Sequence, residues 1–587
     1  MKKIFYIAAV FSLFSFNFSL IQAQEGGGTY NESVIVKGSY RPVIEQQRKL
    51  SFPAVVTDSL GKMEHDFVYS ITPSRLKALY EPSRIKAARI IGEPATKLYN
   101  NYLRIGMGNY WTPMADLYWS STRDKKKTYG LRVNHLSSWD KLPDYGPNYF
   151  GNTGVTLFGK YIIGEKLQLS TDLGYEHDHN LYYGFTDSTL LAAMGLTRDS
   201  ISTKDYTASY NVATWNFGLH NMQLDPKKLG YAVDVHLSDL WGIYGQNEFN
   251  ANISGDIHYG FNIKDKYKGI AYLRLEWDHY NNITPDGTTM PLGCLLAGAV
   301  APDTAAANIL KVNPYIDFIF RGLQFRTGLT MVGEKYSGLA TPKPKFYPDV
   351  AVTKKLMKDR LVLSLAATGG LDAVSLNSVR QINPYISPDF ATRFGTGHYD
   401  FIGHARWTIS KKLEANAEAS YSLLDNDYVF VHDPAYRLNN VYRVFSFSDN
   451  RLIAGGDITF VNDEMLTLRA GGHYYHYTYT GLGTPAVNFV NFYRPDWDAL
   501  VSAKVNYHDK WLFYLEGSLL GEMEADAGET LPMRYGIAAE VEYRHNRALS
   551  FFLKMDNLAF QRYWYWSNYP SQRGLFIAGL TYTIPHK

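Results

Sequence analysis

The sequence predicts an all-β fold, a transmembrane antiparallel β-barrel of about 22 strands preceded by a short periplasmic segment. Three observations predict it. Period-two alternation of apolar and polar residues recurs from about residue 101 to the C-terminus. Short charged turns alternate with connections that are mostly longer, along the whole chain. The 587 residues are 15% aromatic (46 Tyr, 31 Phe, 11 Trp) and 20% charged, and their mean hydropathy is −0.25. Many rings in a chain of negative hydropathy fit a sheet with one face in lipid and the other in water.

The first element is a secretion signal. Met1-Lys2-Lys3 is positive, Ile4 to Leu20 is uncharged, and Ile21-Gln22-Ala23-Gln24 offers a cleavage site after Ala23. Ser12, Ser15, Asn17 and Ser19 dilute the apolar run, favouring a cleaved signal (1–23) over a membrane anchor. No cysteine stands at the cut, so the mature chain is expected to carry no lipid anchor and to be periplasmic, secreted or in an outer membrane; the barrel pattern selects the outer membrane of a Gram-negative cell.

Residues 24–100 differ from the rest of the chain. They hold the triplet Gly26 to Gly28, the β-like run Ser33-Val34-Ile35-Val36-Lys37, and a basic stretch from Arg75 to Arg89 broken at Pro82. This is read as a periplasmic extension without a core of its own, either a truncated plug or a docking tail.

The barrel is expected over 101–587. In Lys412 to Leu423, Leu413, Ala415, Ala417, Ala419, Tyr421 and Leu423 share one face, and Glu414, Asn416, Glu418, Ser420 and Ser422 the other. Leu273, Leu275 and Trp277 likewise oppose Arg274, Glu276 and Asp278. Tyr535, Ile537, Ala539, Val541 and Tyr543 oppose Arg534, Glu540, Glu542 and Arg544. Those wet faces carry too many charges for a packed core. A soluble sandwich or propeller would also give alternating strands, but it has no reason to keep short turns and long loops in strict succession. Strands of about 9 to 14 residues are expected, since a tilted span needs about 9–11. Tyr110, Trp111, Tyr118, Trp119, Tyr161 and Tyr582 are placed at the two membrane interfaces.

Both ends of the mature chain resemble a known family. Lys554-Met555-Asp556-Asn557-Leu558, Arg562-Tyr563 and Gln572-Arg573-Gly574-Leu575-Phe576-Ile577-Ala578-Gly579-Leu580-Thr581-Tyr582 look like the last two strands of TonB-dependent receptors. Glu32-Ser33-Val34-Ile35-Val36-Lys37-Gly38 resembles the segment where their plug begins. With Tyr40-Arg41-Pro42-Val43-Ile44 it is similar to plug-poor barrels of the Bacteroidetes type. The resemblance implies a barrel of about 22 strands and a TonB-box-like segment at Glu32, Ser33, Val34, Ile35 and Val36 that pairs with a TonB-type energy transducer by strand addition. The chain departs from the pattern by having fewer residues before its first strand than a full plug occupies.

Other chemistry is thinly supported. The balance of 59 basic and 56 acidic residues excludes a nucleic-acid partner, and the lone Cys294 excludes an intrachain disulfide and a paired-cysteine metal site. His177 and His179 flank Asp178 on one face of a strand end, but more often such a cluster is a solvated loop entrance than a metal site; His473 and His476 face opposite sides. No local motif singles out a nucleophile, so no enzyme activity, cofactor or metal is expected. The lumen charges Arg274, Glu276, Asp278, Glu414, Glu418, Arg534, Glu540, Glu542 and Arg544 mix both signs, unlike a selective open pore, and suit an interior plugged through paired charges. Tyr563, Trp564, Tyr565 and Trp566 form an outer-loop aromatic run, able to stack on planar ligands or to close the mouth. The apolar loop from Leu292 to Val300 is expected to tuck into the barrel or meet a partner. Two functions are compatible with these features: a barrel that binds or transports a solute, and a non-transporting scaffold in an envelope complex, partnered by a lipoprotein.

Overall fold

The computed structural model describes residues 101–583 apart from short stretches in turns and loops, the longest being 295–300 and 480–490. The expected signal 1–23, the segment 24–100 with Glu32 to Val36, and the tip 295–300 of the apolar loop lie outside the described residues.

Among the described residues, 22 strands form one antiparallel sheet in which each pairs with its chain neighbours. The first strand, Asn101–Gly108, also pairs with the last, Leu575–Tyr582, so the sheet closes on itself. Closure leaves no open edge, and the strand donors are satisfied without water, the condition for crossing a bilayer. The expected alternation is present in three dimensions. In Leu413–His432, Tyr421 and Leu423 are exposed on the outside while Ser420 and Ser422 are buried within.

The strands are more varied in length than the sequence suggests, from 8 residues in Asn101–Gly108 to 21 in Tyr442–Asn462. The extra residues stand at the loop end, beyond what a span requires. There both faces are covered by protein, as at Val429 and Phe430, and the period-two signal fades from the sequence. In the same strand the register shifts between Leu424 and Asp427, with Asn426 in the left-handed region at φ 55°. This bulge adds one residue, switches the parity of the strand, and turns Asp427 inward toward Asp449.

Four of the six expected interface aromatics, Trp111, Trp119, Tyr161 and Tyr582, are exposed. The other two are corrected. Tyr118 adjoins Trp119 and so takes the opposite face, stacking on Tyr102 and Phe158 at 6.0 and 5.9 Å. Tyr110 packs against Phe552, Leu575 and Ile577.

The seam is closed by chemistry as well as by pairing. Gly106 faces Gly579 across it, and a Cβ on Gly579 would come within 2.1 Å of the Ile105 carbonyl oxygen. In the space this leaves, Arg104 lies over the Phe552 ring at 3.9 Å and donates to Glu540 at 2.6 Å, two strands beyond the last. Both partners of that ion pair are buried.

Candidate functional site at the outer mouth

The main buried core of this barrel lies in its outer loops. Tyr182, Tyr183, Phe185, Tyr206, Leu376, Ile386, Tyr436, Leu438, Tyr493, Met523, Trp566 and Tyr569 belong to one apolar cluster contributed by loops from all around the rim. Polar contacts link the same loops. The Tyr182 hydroxyl donates to the Ile386 carbonyl at 2.8 Å, and the Asn440 amide donates back to the Tyr182 carbonyl at 3.0 Å. Tyr183 donates to Pro570 at 2.9 Å, Tyr569 donates to the Asn440 carbonyl, and Ser567 donates to Glu529 at 2.8 Å. At the centre Tyr385 stacks on Tyr569 with ring centroids 3.5 Å apart, and Tyr183 meets both rings edge-on. Burial pushes the phenols of Tyr183, Tyr385 and Tyr569 up, which keeps them neutral donors.

A short helix, Leu376–Ile382, anchors this cap to the wall. Ser375 caps it, and its first amides, of Leu376 and Asn377, donate to the buried carboxylate of Glu248 at 2.7 and 3.0 Å. Glu248 belongs to Asn247–Ile263, five strands along the rim from Leu361–Ala373, the strand that leads into the helix loop. It also accepts from Asn282 at 2.8 Å and Thr392 at 3.3 Å. Further along the helix, Arg380 is held by Asn377, pairs with Asp178 on the wall and lies over the Tyr210 ring. The loop therefore reaches over the lumen and is tied down on other strands of the wall.

A second anchor is a buried charge cluster. Arg494 binds Asp427 at 2.7 Å and Asp449 at 3.1 Å, and Arg451 shares Asp427 at 2.8 Å. A third joins His432 to Asp526, which also accepts from Tyr493 at 2.9 Å. Burial raises Asp526, but the hydrogen bonds and charge of His432 outweigh it and hold this loop carboxylate below its usual range.

Below the cap the lumen is wet: inward-facing Arg274 keeps 55% of its side chain exposed. The expected lumen charges are paired along the wall. Lys311 lies 3.0 Å from Glu276 and 3.8 Å from Asp278, and Arg406 holds Glu414 at 2.9 and 3.0 Å. His473 sits 3.4 Å from Glu418 and 3.1 Å from Asp498, and Arg544 lies 3.7 Å from Glu542. Glu540 is engaged at the seam, whereas Arg534 rises to cover the rings of Tyr563 and Tyr565 at 5.2 and 5.0 Å. The aromatic run is part of the cap: Trp566 is in its core, Trp564 and Tyr565 pack against it, and the hydroxyls of Tyr563 and Tyr565 meet at 2.8 Å. Leu292 and Cys294 pack there too. His177 bonds Asn211 at 2.9 Å while Asp178 pairs inward with Arg380. No group of three His, Cys, Asp or Glu with metal-site spacing occurs among the described residues. Glu248, Arg380 and the Tyr183, Tyr385 and Tyr569 trio escape a sequence reading, because the contacts by which they join separate loops span more than a hundred residues. The one local sign is the Ser375, Ser378 capping pair.

No family model matches the sequence, and no curated protein matches it. Solved structures do. A mutant of the ferric enterobactin receptor PfeA of Pseudomonas aeruginosa, in complex with enterobactin, superposes with a TM-score of 0.61 at 12% identity, over 84% of this chain and 82% of that one. The ferric-catecholate import receptor Fiu of E. coli gives 0.58 at 12% identity, over 83% and 82%. P. aeruginosa FpvA bound to heterologous pyoverdines gives 0.60 at 9% identity, over 84% and 72%. The chain thus has the fold of outer-membrane, TonB-dependent-receptor-like barrels.

Proposed function

We propose that this protein is an outer-membrane receptor barrel that takes up a bulky solute from outside the cell, with the loop cap as both recognition surface and gate. The observation that carries the reading is the cap itself, a shared core of loops tied across the mouth at Glu248 and Asp178. A diffusive pore has no use for a mouth bridged by a packed core of loops above a wet lumen. The solved neighbours bound to enterobactin and pyoverdines make a large chelate of that kind the favoured class of solute. Glu32 to Val36 serves as the contact for a TonB-type transducer by strand addition, and the barrel is no enzyme.

The scaffold reading, with a lipoprotein partner, is favoured by one specific fact: the lumen charges are already satisfied along the wall, leaving few to grip a passing solute. Pull-down with residues 24–100 and planar-bilayer conductance separate the two. Uptake predicts capture of the periplasmic domain of a TonB-type protein, lost on replacing Val34 and Ile35 by Pro. It also predicts a silent full-length barrel that conducts once 375–393 is replaced by a short Gly-Ser link. Capture of a different envelope protein, with a barrel still silent after that replacement, establishes the scaffold instead.

A further inference from the structure

The outward face carries a feature that neither the cap nor the lumen explains. Between the upper ends of three neighbouring strands, Tyr267–Ile283, Thr304–Phe320 and Leu323–Tyr336, lies a groove of about 410 Å³. Its floor is one row of the sheet: Trp277 pairs with Leu310, and Leu310 with Gly333. Trp277 and Leu310 are 37% and 50% exposed on the lipid side, and the loop residues Thr341, Pro342 and Pro344 wall it in. The hollow exists because position 333 has no side chain. A Cβ there would meet nothing within 4 Å.

The next row outward changes character at once. His279 pairs with Asn308, and Asn308 with Lys335. The His279 ring stacks on Trp277 at 5.7 Å and bonds Asn308 at 2.9 Å. Lys335 is exposed and forms no ion pair among the described residues, whereas Lys345 on the next strand is taken by Glu334 at 3.0 Å. Lys343 lies exposed between the two wall prolines. An apolar row under a polar, cationic one marks the boundary between acyl chains and headgroups. The groove crosses that boundary.

We propose that this groove is a specific site for a phosphorylated glycolipid of the outer leaflet. One acyl chain lies on Trp277, Leu310 and Gly333, and the phosphate is met by Lys335. The chemistry selects a lipid because the floor is continuous with the lipid-facing band, and an anionic one because the unpaired cation stands directly above it.

The test uses the full-length, delipidated barrel incubated with diphosphorylated lipid A or, separately, with phosphatidylglycerol, and counts bound lipid by native mass spectrometry. One lipid A per barrel is expected. Gly333→Leu fills the hollow and should retain about tenfold less, as expected from losing roughly two methylene contacts. Lys335→Gln should fall between. Val501→Leu, on an outward position elsewhere on the barrel, should bind as the parent does. Heat-modifiable gel migration confirms that each variant is folded. Equal retention by Gly333→Leu and the parent, or equal binding of phosphatidylglycerol, overturns the assignment.

Discussion

At the seam, Arg104 and Glu540 form a buried ion pair. Both are buried, and the guanidinium reaches Glu540 by passing over glycine and the Phe552 ring rather than through water. Removing one partner breaks a buried pair, which typically costs about 3–5 kcal/mol. Arg104→Ala is therefore expected to lower the urea midpoint of unfolding in detergent by that order, while Arg274→Ala, whose side chain is largely in water, should change it by less than about 1 kcal/mol. Equal effects would mean that closure rests on backbone pairing alone. Glu540 was visible in the sequence as a wet-face charge. Its partner was not, because 436 residues separate the two and only the closed sheet brings first strand to last.

The loop elements depend on a few anchors. Glu248→Ala leaves the first amides of Leu376–Ile382 without an acceptor inside the protein, a loss of about 1–3 kcal/mol localised in one loop. Hydrogen exchange at Leu376 and Asn377 should speed up by one to two orders of magnitude, with the barrel strands unchanged; uniform protection would place the anchor elsewhere. The cap should also respond to acid. Because Asp526 titrates below the ordinary carboxylate range when folded, its contribution is complete above the unfolded value of about 4 and is lost as pH falls through the folded one. Protease nicking of the 521–533 loop should stay constant from pH 7 to about 4 and rise below that. Asp526→Asn should be nicked at every pH and show no such step. The membrane-spanning elements were legible because lipid imposes a strict period of two, and the turns were legible because each concentrates charge. Of the cap only the Tyr563 to Trp566 run and the apolar loop at Leu292 stood out in the sequence; its other rings serve one another over long sequence distances and obey no period.

On the scale of the whole molecule, a sheet of 22 strands encloses a wet lumen whose charges pair along the wall, beneath a lid made from its own loops. The aromatic excess is divided among the outward face, the cap and inward ring stacks such as Tyr102 on Tyr118. The lid is the central claim, and access from outside tests it most directly. Arg274→Cys in a Cys294→Ser background places one thiol in the wet lumen beneath the cap. A membrane-impermeant maleimide is then applied to intact cells. The thiol should stay unlabelled in the otherwise native barrel and become labelled when 375–393 is replaced by a short Gly-Ser link. Rapid labelling with every loop in place would show an open mouth and contradict the account.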